Sequence, residues 1–98
     1  MKVIFHPEAQ EETIGSARYY EAKSEGLGSD FLTAVEATTS RIKQFPESGP
    51  IDRANIRKRF VSGFPVTILY EIQPDRIFIA AVMHQHRRPG YWRKRLKV

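Results

Sequence analysis

The sequence predicts a single α+β domain over residues 1–98, in the order β-α-α-β-β-β, with a helical hairpin packed on a small, mostly antiparallel sheet. Three observations predict it. Ninety-eight residues with 41% apolar and 11% aromatic side chains have room for one domain and are too apolar to stay disordered. The apolar period is helical in the first half and becomes strand-like after residue 55. No internal repeat, low-complexity run or linker-like stretch divides the chain.

Taken in order, residues 2–6 alternate, with Val3 and Phe5 on one side and Lys2, Ile4 and His6 on the other, as in a short strand. Pro7 stops the strand and suits the first turn of a helix, where its missing N–H would be unpaired anyway, and Glu8 and Glu11 favour the positive end of the dipole. That helix is expected over residues 7–24, with Ala9, Thr13, Ala17 and Tyr20 as a stripe and Ile14 alongside. Gly26 is expected as its left-handed C-cap. Leu27-Gly28 is expected to turn the chain, and Ser29 or Asp30 to cap a second helix. In that helix Phe31, Val35, Thr38, Ile42 and Phe45 recur at alternating spacings of four and three. The helix ends before Pro46, and the short connection implies an antiparallel pair. Residues 46–54, opening with PESGP, are expected as a loop. Strands follow over 56–62, 66–72 and 77–83, the last two separated by the turn Gln73-Pro74-Asp75 and apolar on both faces, hence central. The helices cover one face of the sheet, and the other is covered by the C-terminal tail, a second copy or a separate partner.

Charge is unevenly spread. Residues 1–50 carry five Lys and Arg against eight Asp and Glu, net −3, and residues 51–98 carry eleven against three, net +8. Six bases after residue 86 (Arg87, Arg88, Arg93, Lys94, Arg95, Lys97) face no acid in that stretch. This asymmetry suits an acidic or nucleic-acid-bearing partner, unless it is a solvated tail. The absence of cysteine excludes disulfide frameworks, Cys-based zinc sites and thiol catalysis and suits the cytoplasm. The longest charge-free stretch, residues 60–70, is about half the length of a membrane-spanning helix, and the N-terminus does not read as a signal peptide, so no membrane association is expected.

Several spaced features then sit together: Phe5-x-Pro7-Glu8-Ala9, Tyr19-Tyr20-Glu21, Gly26-Leu27-Gly28 with Phe31, Val35-Glu36, Phe45-Pro46-Glu47-Ser48-Gly49, Phe64-Pro65, Ile68-x-Tyr70 and His84-x-x-Arg87-x-Pro89-x-x-Trp92. In register they resemble the RelE/ParE superfamily of bacterial toxins from type II toxin-antitoxin (plasmid stabilisation) modules, over nearly the whole chain. The resemblance implies a growth-inhibiting toxin neutralised by a cognate acidic antitoxin, and no cofactor. RelE-like members are ribosome-dependent mRNA endonucleases; ParE-like members share the fold but inhibit DNA gyrase. Such nucleases often carry an arginine in a pattern like Arg-Leu-Val-Tyr, where this chain reads Thr67-Ile68-Leu69-Tyr70. With Phe64-Pro65 and His84-x-x-Arg87, that departure places the chain closer to ParE-like members.

The candidate contacts for a target or nucleic acid are Arg57, Arg59, Arg87, Arg88, Tyr91, Trp92 and Arg93. Arg57 and Arg59, two apart on a strand, share a face and suit a phosphate or carboxylate, or simply a charged strand edge. The tail interleaves aromatics with cations, which suits stacking on bases or an apolar protein groove, while Tyr91 and Trp92 also suit folding back on the open face. If the chain is a nuclease, His84, Arg87 and Tyr91 are its acid/base candidates. The spacing of His84 and His86 is open to a metal, but three histidines without cysteine argue against one, and no metal site is expected. A non-toxic basic binding domain of the same fold is the third reading.

Overall fold

The computed structural model describes residues 1–96. It contains β1 (Lys2–Phe5), α1 (Pro7–Lys23), α2 (Leu27–Gln44), a 3₁₀ turn (Pro46–Ser48), β2 (Ile51–Arg53), β3 (Ile56–Phe60), β4 (Val66–Ile72), β5 (Arg76–His84) and a final 3₁₀ turn (Arg93–Leu96). The strands form one sheet in the order β1-β5-β4-β3-β2, with β1 parallel to β5 and every other pair antiparallel. The predicted α+β class and element order therefore hold, with one strand added. β2 lies inside the expected loop. Its three residues are all exposed, so no burial pattern marks it in the sequence.

The helical hairpin covers one face of the sheet. Phe31, Val35 and Ile42 of α2 and Ala9 of α1 pack on Val66, Ile68 and Tyr70 of β4 and on Ile77, Ile79 and Val82 of β5. Thr13 and Thr38 take buried stripe positions because their hydroxyls donate back along the helix to Ala9 O (3.0 Å) and Ala34 O (2.8 Å). Two apolar residues grouped with the stripes lie outside the core: Ile14 is 43% exposed, and Phe45, past the end of α2, is 53% exposed.

The connection between the helices corrects the expected turn. α1 ends at Lys23 with Ser24 as its cap, Gly26 (φ 86°) stands at the N-cap of α2, and Leu27-Gly28 opens α2. Ser29 and Asp30 therefore lie inside the first turn and do not cap it. Glu21 caps it instead, its two carboxylate oxygens accepting the Gly26 N–H (3.0 Å) and Gly28 N–H (2.9 Å). Gly28 is required where the helices cross, since a Cβ there would lie 2.5 Å from Ala17 O.

The opposite face answers the question of what covers it. Ile56, Leu69, Ala80 and Ala81 form a second core, closed by Trp92, which is 3% exposed, with Tyr91 and Leu96 beside it. The chain's own tail covers this face. A register shift between β4 and β5 sets Leu69 opposite Ala81 and Tyr70 opposite Ile79, leaving Ala80 as an extra residue. The shift allows Ala80 and Ala81 both to join the tail-side core while Ile79 and Val82 join the hairpin side.

Candidate functional site

β1 accompanies β5 only from Arg76 to Ile79, so the second half of β5 is an open edge. Side chains occupy it. Glu12, on the flank of the α1 stripe, accepts the Val82 N–H (3.0 Å), and Arg95 donates to Ala80 O (3.1 Å). The two side chains also pair with each other, Nη1 to Oε1 and Nη2 to Oε2, both 2.9 Å. Tyr91 Oη donates to Glu12 Oε2 at 2.6 Å, and Arg87 stands 3.9 Å from the same oxygen and over the Tyr91 ring, 3.9 Å from its centroid. One carboxylate thus gathers the strand edge, the tail and the β5–tail turn. Burial works against the charge of Arg95, but the Glu12 carboxylate outweighs it and raises the guanidinium's pKa.

Above this cluster, α1 and the end of β5 enclose an open groove of about 420 Å³, lined in part by Ser16, Tyr19, Tyr20, Val82, His84 and Arg87. The Tyr20 hydroxyl is buried and unpaired among the described residues. His84 and Arg87, predicted as site residues, are brought together on this groove. Arg88, Arg93 and Lys94 lie exposed on the adjoining segment and form no ion pair among the described residues.

The other sequence candidates have different positions. Trp92 is a core residue, so its ring is not a surface contact in this fold. Tyr91 is half-buried with its hydroxyl committed to Glu12. Burial, then the Glu12 carboxylate, push its phenol well above the ordinary value, against the opposing charges of Arg95 and Arg87. A phenol held protonated in this way is not a general base at neutral pH. Arg57 and Arg59 do share a face, but they turn toward the 46–49 turn. Arg57 Nη1 donates to Glu47 O and Gly49 O (2.9 Å each), and Arg59 Nη2 donates to Ser48 Oγ. Tyr70 Oη reaches Pro46 O at 2.6 Å. Both arginines thus hold this turn against the sheet. His84 and His86 are neighbours, with ring centroids 5.0 Å apart, and no group of three or more metal-ligating side chains occurs among the described residues.

Sequence reasoning missed Glu12 and Arg95, the two residues that organise the region. A signal was present: Glu12 lies on the flank of the Ala9 and Thr13 stripe, next to Ser16, where an acid at the rim of a buried stripe needs a partner.

The buried phenols set an alkaline limit. Burial raises Tyr20, Tyr70 and Tyr91 above 10.0. The folded chain then holds protons that the unfolded chain loses, so their contribution is complete below about pH 10 and is lost as pH rises through the folded values. We expect the urea midpoint to be lower at about pH 11 than at about pH 9, the fall setting in above about pH 10, with phenolate absorbance appearing as the chain unfolds. An unchanged midpoint would show that these phenols titrate normally.

Comparison with known proteins gives this geometry its context. No curated protein matches the chain. Among solved structures, one described as the chromosomal ParDE TA system from P. aeruginosa aligns with a TM-score of 0.65 at 16% identity, covering 86% of this chain and 95% of that one. At that identity the likeness shows the shared fold. The family model described as ParE toxin of type II toxin-antitoxin system, parDE, matches residues 3–89, and the chain belongs to that family.

Proposed function

We propose that this chain is a ParE-like toxin that acts by binding, through the groove beside His84 and the cations that follow it, a target such as DNA gyrase, and that a cognate acidic antitoxin neutralises it. The observation that carries the reading is the exposed set Arg87, Arg88, Arg93 and Lys94 next to an open groove whose single acid, Glu12, is already paired with Arg95. Exposed cations beside a partly apolar groove, of which Arg88, Arg93 and Lys94 form no ion pair among the described residues, suit an acidic protein segment. Antitoxin binding by strand addition on the tail-side face is not favoured, since Trp92 and Leu96 already fill that face.

No covalent chemistry is assigned. The alternative site, mRNA cleavage by His84, Arg87 and Tyr91, lacks a base in Tyr91, and Tyr91 does not line the groove that His84 and Arg87 share.

The test is induced expression without antitoxin, followed in parallel by gyrase supercoiling and by the integrity of translated mRNA. Growth arrest with loss of supercoiling and intact message is expected. Replacing Arg87, Arg88 and Arg93 together by glutamine should weaken target binding by about tenfold or more and relieve the arrest while leaving the circular dichroism spectrum unchanged. Full toxicity in that variant would overturn the cation-centred reading, cleaved message would favour the nuclease, and harmless expression of the wild-type chain would favour a non-toxic binding domain.

A further inference from the structure

The outer side of the helical hairpin is apolar at its centre. Two open grooves of about 550 and 380 Å³ meet at Ile14 and Leu32, the first running to Ile4 on β1 and the second passing Ala17 and Arg18. Ile14, Leu32 and Ile4 are each 36–45% exposed, so three large apolar side chains share one surface that nothing among the described residues covers. The solvent face of α1 beside them follows the spacing 11, 14, 15, 18, with Glu11 before Ile14 and Arg18 after it. Both charges are exposed, and neither forms an ion pair among the described residues. Gly15 lowers the helix propensity of this face, yet a Cβ there would meet nothing within 4 Å, so no close approach within the chain requires it.

The pattern is self-complementary. Glu11 and Arg18 lie at equal distances, about 5 Å each way along the helix axis, from the point between Ile14 and Gly15. A second α1 laid antiparallel about a two-fold axis at that point sets Glu11 of each copy against Arg18 of the other and brings Ile14 onto its own counterpart. The same operation places Leu32 of both copies on one side of the α1 pair, where each already adjoins Ile14. Beside Ile14, the missing side chain at Gly15 lets the two backbones come close. A strongly acidic partner would be opposed at Glu11 and a strongly basic one at Arg18, whereas a second copy satisfies both. We infer that this face pairs two copies of the chain as a two-fold dimer, α1 against α1. This reading is independent of the target and antitoxin proposed above.

The test is sedimentation velocity of the full chain alone, from about 1 μM to about 500 μM, with a reversible dimer expected to predominate by about 100 μM. Ile14→Glu, on an exposed position, should leave the circular dichroism spectrum unchanged and weaken association by about tenfold or more. Arg18→Glu should weaken it by a similar factor, because each copy then sets two acids face to face. Adding Glu11→Arg to that variant should restore association to within about threefold, since the exchanged charges pair again across the axis and are two helical turns apart within one chain. Phe60→Ser, at the most exposed large apolar position described, lies on another element and should leave association unchanged. The inference is overturned by a chain that stays monomeric up to about 500 μM, by a dimer that Ile14→Glu leaves intact or Phe60→Ser dissolves, or by a charge exchange that restores nothing.

Discussion

Glu12→Ala is expected to remove a large share of the stability of this domain. The Arg95 side chain is only 8% exposed and its guanidinium has Glu12 as its close partner, so the substitution leaves a buried cation with only the exposed Glu8 carboxylate, 3.8 Å away, to balance it, and strands the Val82 N–H and the Tyr91 hydroxyl. Breaking a buried pair from one side costs about 3–5 kcal/mol. A domain of this length has about 5–15 kcal/mol in total. Urea unfolding followed by circular dichroism measures the loss, and a change below about 1 kcal/mol would show that the pair is solvated. The double variant Glu12→Leu with Arg95→Leu separates charge from shape. It should recover much of the loss, because the larger part of the cost belongs to the stranded charge and not to the missing attraction.

Trp92→Ala should have a comparable effect by a different route. It removes the lid of the tail-side core and leaves a void over Leu69, Ala80 and Ala81, where Phe or Trp to Ala changes cost about 3–5 kcal/mol. Trp92→Phe, which keeps an aromatic body, should cost about half as much or less. Trp92 is the sole tryptophan, so in the unaltered chain its fluorescence reports directly whether the tail is seated. Loss of that signal at lower urea than the loss of helical ellipticity would show the tail leaving before the domain unfolds. Coincident transitions are expected, because the second core and the Glu12 cluster share the tail.

The fold class was legible because its signals are local and repeated. Phe31, Val35, Thr38 and Ile42 mark one face of α2 without ambiguity, and the apolar runs of β4 and β5 announce strands buried on both sides. The missed features depend on contacts across the chain. Nothing near Gly26 says that Glu21, on the preceding helix, will cap α2, and nothing near residue 51 marks a strand whose side chains all face solvent. In the site, the exposed cations could be read from the charge run because charges in solvent need no partner to be present. Arg57 and Arg59 show the converse: their type and spacing suggested a phosphate clamp, and only the fold brings the carbonyls of Glu47 and Gly49 within reach of Arg57. Glu12 and Arg95, 83 residues apart, are joined only in three dimensions.

The half-edge of β5 has a consequence for how this sheet meets other chains. An unpaired strand edge invites any extended segment to dock, and small β-rich domains aggregate along such edges. Here the N–H of Val82 and the carbonyl of Ala80, which no neighbouring strand reaches on that side, are occupied by an acid and a base that also neutralise each other. An incoming strand would have to separate a buried ion pair before gaining its first backbone hydrogen bond. The molecule is thereby protected against unwanted extension along the second half of β5.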